Sequence, residues 1–290
     1  MRDTRAMVLP ENIVDAAYSG DVITVRAWLD EDAAHDVNDV DDSGVGLLNC
    51  AGASLEIQDP ALIALLLARG VDVNQRRYWT TLQLACAWRS VGAVELLLSH
   101  GADADLVTLE HNHPPLMMVL GSFESFAGIG DLARYRDRAA RTNRTLLTYC
   151  RDIYACIVLL LRAGASPDGR TNIHPETLLT LQIGDIPAPS HPDFLPKMEL
   201  KLALDRLKAV RAAGGWRKWT LVPPKKLLRL RSLHARGRAR LRVSARAARA
   251  NAKMRPIVWL MSPNVPNEIA WRVLEFWNPR SDGTKYHTEY

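Results

Sequence analysis

The 290-residue sequence has no apolar segment near the length of a membrane-spanning helix, and its first residues lack the apolar core of a secretory signal. A bilayer crossing needs about 20 predominantly apolar residues, whereas residues 1–12 include two acidic residues and a proline. Cysteine is also scarce, with four residues and no CxxC spacing: Cys50, Cys86, Cys150 and Cys156. We therefore expect no membrane span, reduced thiols, and an intracellular protein of the cytoplasm or nucleus.

Short motifs that anchor common catalytic and phosphate-binding sites are missing as well. The sequence contains no GxGxxG, P-loop, GxSxG or HExxH string. His111 and His113 stand two residues apart, but two imidazoles are too few for a stable zinc site, so we interpret them as exposed loop residues. We predict a protein without catalytic residues, metal or cofactor, which is not an enzyme.

Acidic residues become rare in the last quarter of the sequence. Residues 1–216 hold 20 Lys+Arg against 28 Asp+Glu, whereas residues 217–290 hold 17 against 4. Between Arg217 and Arg255 there are 14 basic residues and no acidic one. This segment is predicted to face an anion or water, and the acidic N-terminal part of the chain is one possible counter-surface.

A short pattern recurs along the first two thirds of the sequence. Residues 66–70, 97–101 and 160–164 each place two leucines shortly before a glycine, and a small or branched residue with a turn-forming polar residue follows. Upstream of the second copy, residues 80–98 predict two short helices, and the small residues Ala85 and Ala87 allow them to pack closely. The glycine is expected to end the second helix in the left-handed conformation.

These residues resemble the ankyrin repeat, a unit of roughly 33 residues that folds as a turn and two helices. Residues 80–105 match its pattern as TTLQLA followed by VELLLSHGAD, and residues 13–29 and 44–74 match as earlier units. Two further units begin near Pro114 and Pro175. The resemblance covers residues 10–215 and implies an all-α ankyrin-repeat solenoid of about five helix-pair units with a helical C-terminal extension.

The departures from the family pattern predict where the repeat is altered. Arg89 stands where the family prefers glycine between the two helices, so this turn is expected to be strained or rebuilt. Gln83 replaces the usual histidine, and the hairpin before Thr80 is about two residues short. Residues 121–150 predict an insertion with lengthened helices, the alternative being a degenerate extra repeat. A proline-rich loop at 184–196 interrupts the last unit.

The resemblance implies a protein-protein interaction scaffold or adaptor, because such stacks present side chains on their concave side that the fold does not need. Candidate partner-binding residues lie at the third hairpin tip and at the end of the next helix, and their types are common in interfaces: Arg76, Arg77, Tyr78, Trp79, Trp88 and Arg89. Alternatively, the two tryptophans fill space around the shortened hairpin.

Residues 216–261 predict a basic helical extension. Four arginines share one helical face and form a candidate anion-binding site: Arg238, Arg242, Arg246 and Arg249. The helix either caps the repeats or binds nucleic acid or another anionic surface. Nucleic acid is the less favoured partner, since no aromatic residue that could stack on bases lies between Trp219 and Trp259.

Residues 262–278 predict an amphipathic helix that begins at a proline. Its candidate binding residues are Pro266, Ile269, Val273, Leu274, Phe276 and Trp277. This segment resembles the opening of an F-box, which implies a substrate-recognition subunit that recruits a Skp1-type linker of a cullin ubiquitin ligase. Alternatively, the helix seals the last repeat. Residues 1–9 and 279–290 are predicted to be terminal tails.

Overall fold

The computed structural model describes residues 8–33, 35–53, 60–75, 78–107, 113–120, 132–168 and 185–221, with a few single residues beyond them. Ten named helices occur in these ranges: α1 (Glu11–Ser19), α2 (Val22–Glu31), α3 (Leu47–Ala53), α4 (Ala61–Ala68), α5 (Thr81–Trp88), α6 (Val91–Ser99), α7 (Pro115–Leu120), α8 (Leu132–Arg141), α9 (Leu146–Ala163) and α10 (Phe194–Ala212). Residues 216–221 are also helical. No strand occurs in the described ranges, where Val40 and Gly46 form an isolated bridge.

The chain divides into two compact units, Met1–Arg211 and Ala212–Tyr290. The first unit contains α1 to α9 and nearly all of α10. The second unit includes the helical residues 216–221, in which the ring centroids of Trp216 and Trp219 lie 5.1 Å apart.

Glycines end the helices where the repeat pattern predicted them. Gly20 and Gly164 follow α1 and α9 directly with φ of 75° and 102°, and Gly70 and Gly101 follow α4 and α6 with φ of 81° and 87°. Only glycine adopts this left-handed conformation without a steric cost. The predicted helix ends are therefore confirmed at Gly70, Gly101 and Gly164, and Gly20 ends α1 in the same conformation.

The helices of the first unit form two layers. One layer contains α1, α3, α5 and α7, which pack on each other in sequence order, and in the other layer α2 packs on α4 and α6 packs on α9. The layers meet along a strip of apolar side chains, each of which stabilises the fold by about 1.5–3 kcal/mol. Its members include Leu48, Leu82, Leu97, Leu116 and Leu160.

Small residues and thiols complete this core. Ala85 and Ala87 are buried as predicted, and all four cysteines are buried and free. Burial raises the pKa of Cys50 to about 11 and that of Cys156 to about 12. The thiols are therefore protonated at neutral pH, which is unfavourable for nucleophilic chemistry.

A ladder of side-chain hydrogen bonds joins the loops of successive repeats. Asn38 accepts from the backbone N–H of Asp72 at 2.8 Å, and Asn74 accepts from that of Asp103 at 2.9 Å. Asp105 then accepts from the backbone N–H of Ser166 at 2.8 Å, across 61 residues of sequence. The last step connects the loop after α6 directly to the loop after α9, so α7, α8 and α9 together occupy the place of one repeat.

Candidate partner-binding surface

A capping box fixes the chain at the start of α5, directly after the third hairpin. The hydroxyl of Thr80 accepts from the backbone N–H of Gln83 at 3.1 Å, and the Gln83 side-chain oxygen accepts from the backbone N–H of Thr80 at 2.6 Å. These reciprocal bonds satisfy two helix N–H groups that would otherwise lack partners. They hold the preceding residues, Tyr78 and Trp79, in place.

Contacts to both neighbouring repeats hold the same segment from the sides. The amide of Asn49 in α3 donates to the carbonyl of Trp79 at 2.6 Å, and the Thr81 hydroxyl donates to the carbonyl of Leu48 at 3.2 Å. On the other side, the Gln83 amide donates to the carbonyl of His113 at 2.6 Å. Gln83 is fully buried, so the residue that replaces the family's histidine links two repeats.

The predicted partner-binding residues do not form one cluster. Tyr78 is 48% exposed, and Trp79 beside it is half-buried. Trp88 is also half-buried but lies at the far end of α5, about 12 Å along the helix axis from Trp79. Arg76 and Arg77 lie outside the described residues. We define the hairpin-tip surface as Tyr78 and Trp79.

The prediction that Arg89 contacts a partner is wrong, because this side chain is 1% exposed. Arg89 adopts the left-handed conformation with φ of 54°. Its guanidinium donates to the carbonyls of Ala87 and, at 3.0 Å, Val119, and it lies 5.3 Å from the ring centroid of Tyr149. The side chain therefore fills the interior between α5, α7 and α9 instead of reaching the surface.

The enlarged repeat supplies the partners that hold this arginine. Arg144 donates to the carbonyl of Arg89 at 3.1 Å and to the carboxylate of Asp152 at 2.8 Å. Burial raises the pKa of Asp152, while Arg144 acts in the opposite direction. Burial also raises the pKa of Tyr135 in α8, whose ring lies 5.7 Å from that of Tyr149, to about 12.

Tyr18 is an exposed aromatic residue that the sequence reasoning did not select. It lies on α1 in the same layer as α5 and is 46% exposed. Partial burial and the electrostatic and hydrogen-bond interactions with Cys50 raise the pKa of Tyr18 to about 12, and Asp41 adds to the shift. The sequence signal that could have indicated Tyr18 is its position directly after Ala16 and Ala17, the small pair of an inner helix.

The remaining predicted sites lie outside the described residues. These are the four arginines of the basic extension and the six residues of the F-box-like helix. Among the residues that the structure does describe, no three His, Cys, Asp or Glu side chains are placed to share a metal ion. None of the helices in these ranges is both long enough and apolar enough to cross a membrane.

One family model matches part of the repeat pattern. Residues 77–109 match the family model described as ankyrin repeat. A chain in the structure of the predatory endopeptidase Bd0816 from Bdellovibrio bacteriovorus in complex with immunity protein Bd3460 is 17% identical, with a TM-score of 0.35 over 69% of this chain and 97% of that one. The ankyrin repeat domain of human ASB11 is 20% identical, with a TM-score of 0.34 over 67% and 98%. No curated protein matches.

The fold is accordingly an all-α ankyrin-repeat solenoid. The family match at residues 77–109 covers the hairpin, α5 and α6, and the paired helices on either side repeat the same arrangement. The predicted fold class is confirmed.

Proposed function

We propose that this protein is a non-catalytic scaffold that binds a partner protein through the hairpin-tip surface. Ankyrin repeats generally mediate protein-protein interaction, and their side chains at hairpin tips vary without disturbing the stack. The observation that carries the proposal is the half-exposed ring of Tyr78 on a segment held by hydrogen bonds to both neighbouring repeats.

The hydrogen bonds that Trp79 and Thr80 make favour tight binding at the adjacent Tyr78. A tyrosine ring buries a large area with few rotatable bonds, and a loop that is already ordered loses little entropy when a partner docks. Aromatic residues at the centre of an interface commonly contribute more than 2 kcal/mol each. Trp79 extends the apolar area beside Tyr78, and Arg76 and Arg77 adjoin it in the sequence.

Replacing Tyr78 by alanine is expected to weaken partner binding at least about tenfold, because an interface anchor is lost. The partner is first identified by placing a photo-crosslinking amino acid at position 78, with a matched probe at Ile23, which is 82% exposed on the other helix layer. Crosslinks to a partner protein are expected from the probe at position 78 and not from the probe at position 23. Equal adducts at both positions, or an unchanged affinity of Tyr78→Ala for the captured partner, would contradict the proposal.

The F-box-like resemblance supports a second candidate, a substrate receptor of a cullin ubiquitin ligase. Its supporting observation is the sequence of residues 266–277, with an initial proline and regularly spaced apolar residues. In this alternative the repeats hold the substrate, and the terminal helix contacts a Skp1-type linker.

A chain ending at Arg255 distinguishes this candidate from a binder of nucleic acid. If the protein is a ligase subunit, the full chain is expected to capture Skp1 and cullin, and the truncated chain is expected to lose both. Capture of nucleic acid that survives truncation and weakens steeply with salt is expected of the basic segment, because phosphate contacts release counterions. If truncation changes neither readout, the terminal helix is not a recruitment element.

A further inference from the structure

The helix α8 is an addition that the stacking of repeats does not need. The ladder of loop hydrogen bonds passes from Asp105 directly to Ser166, so the loops on either side of the enlarged repeat are joined without it. The helix α9 is 18 residues long, whereas α6, on which it packs, has 9. Since the leucine-rich ends of both helices occupy matching repeat positions, α9 extends about 13 Å beyond the start of α6.

This extension lies at the opposite edge of the stack from the hairpin-tip surface. Tyr78 and Trp79 precede α5, whereas the contacts of Tyr149 and Arg144 with Arg89 are made at the other end of α5. The helix α8 packs on α9, and Tyr135 contacts Tyr149. The two surfaces can therefore be altered independently.

The two faces of α8 differ sharply in chemistry. Leu132, Tyr135 and Ala139 are buried, whereas Arg136 and Arg141 are exposed and Arg138 is half-buried. Residues 132–151 contain six arginines and one aspartate. The rest of residues 1–216 contains 14 basic and 27 acidic residues. Residues 132–151 are thus a basic segment within an acidic part of the sequence.

Some of these arginines already have acidic partners and others do not. Arg136 pairs with Asp193, Arg144 with Asp152, and Arg151 with Glu199. Arg138 and Arg141 form no ion pair with another described residue. They are three residues apart on α8 and so lie side by side on one helical face. We define the α8 arginine face as Arg138 and Arg141.

We propose that the α8 arginine face binds an acidic segment of a partner protein. Guanidinium groups match carboxylates in shape and bind them through paired hydrogen bonds. A short acidic segment needs only this local pair of charges, whereas an extended polyanion would also be repelled by the net negative charge of the rest of residues 1–216. The face therefore favours a carboxylate-rich protein segment over nucleic acid.

The test uses the full chain and a poly-glutamate peptide of roughly 15 residues, about four helical turns. The variant Arg138→Glu/Arg141→Glu is compared with Lys201→Glu/Lys208→Glu, which makes the same charge change at two exposed positions of α10. The first variant is expected to weaken peptide binding about tenfold, and the control about twofold or less. Background binding by the basic segment 217–255 is common to both variants.

Site-resolved arginine modification localises the peptide. Phenylglyoxal labelling is read by mass spectrometry with and without poly-glutamate, and Arg162, an exposed residue near the end of α9, serves as the unprotected reference. Protection is expected at Arg138 and Arg141 and not at Arg162. The proposal is overturned if both double variants lose the same peptide affinity, or if the peptide also protects Arg162 from labelling. It is also overturned if a DNA duplex binds at Arg138 and Arg141 more tightly than the peptide does.

Discussion

Replacing Arg89 by alanine is expected to lower the free energy of unfolding by about 3 kcal/mol, the largest single-residue effect that we predict. The substitution removes an almost fully buried side chain, since Arg89 is 1% exposed. It leaves the carbonyl of Val119 without its donor and opens a cavity against the ring of Tyr149. It also leaves a non-glycine residue in the left-handed conformation. Denaturant unfolding followed by circular dichroism measures the loss.

A glycine at position 89 separates the contribution of the side-chain contacts to stability from that of the backbone conformation. Arg89→Gly restores the residue that the family prefers in this turn and relieves a left-handed strain of about 1 kcal/mol. We expect this variant to be more stable than Arg89→Ala by that amount and still less stable than the original chain. If Arg89→Gly equals or exceeds the original stability, the buried contacts of the guanidinium do not stabilise the fold.

Replacing Asp152 by alanine is expected to cost about 2 kcal/mol, because it leaves the charge of Arg144 without its partner in a mostly buried site. The side chain of Arg144 is 10% exposed and lies 2.8 Å from the carboxylate. Arg144 also donates to the carbonyl of Arg89, so its displacement loosens the same turn. The measurement is again denaturant unfolding, with near-ultraviolet circular dichroism reporting the packing of Tyr135 and Tyr149.

Asparagine is the matched control, since it keeps an acceptor for Arg144 without the carboxylate charge. Burial raises the pKa of Asp152 above its ordinary value of 3.8, so burial outweighs the attraction to Arg144. The folded state therefore binds the proton of the Asp152 carboxyl more tightly than the unfolded state does. The contribution of this proton to the free energy of unfolding is fully present below pH 3.8 and is lost as pH rises through the pKa of the folded state. Asp152→Asn is therefore expected to cost less than the alanine variant at neutral pH. Equal costs would contradict this account.

Much of the repeat scaffold was predictable, because its signals are local. The glycine after each leucine-rich helix predicts a left-handed end, and Gly70 and Gly164 have that conformation. Ala85 and Ala87 predict a close helix contact, and both are buried. Such patterns depend on neighbours three or four residues apart, which the sequence displays directly.

The candidate site was predicted less well. Tyr78 was selected by residue type and is exposed, but Trp88 lies far from it and Arg89 is buried. Residue type indicates what a side chain can do in an interface, but a left-handed turn sends its side chain in a direction that helical periodicity does not describe. An arginine in place of the family's glycine predicted a rebuilt turn. The partner Tyr149 lies 60 residues away and had no local signal.

By itself the sequence determined the repeated helix pairs, their glycine ends and the uneven placement of charge, because each depends on short-range spacing or on composition. Only the tertiary structure decided that Arg89 turns inward and that Asp105 reaches Ser166 across the enlarged repeat. It also decided that Arg136 and Arg151 have acidic partners, whereas Arg138 and Arg141 form no ion pair within the described part of the chain. These arrangements depend on which distant residues share the space between stacked helices.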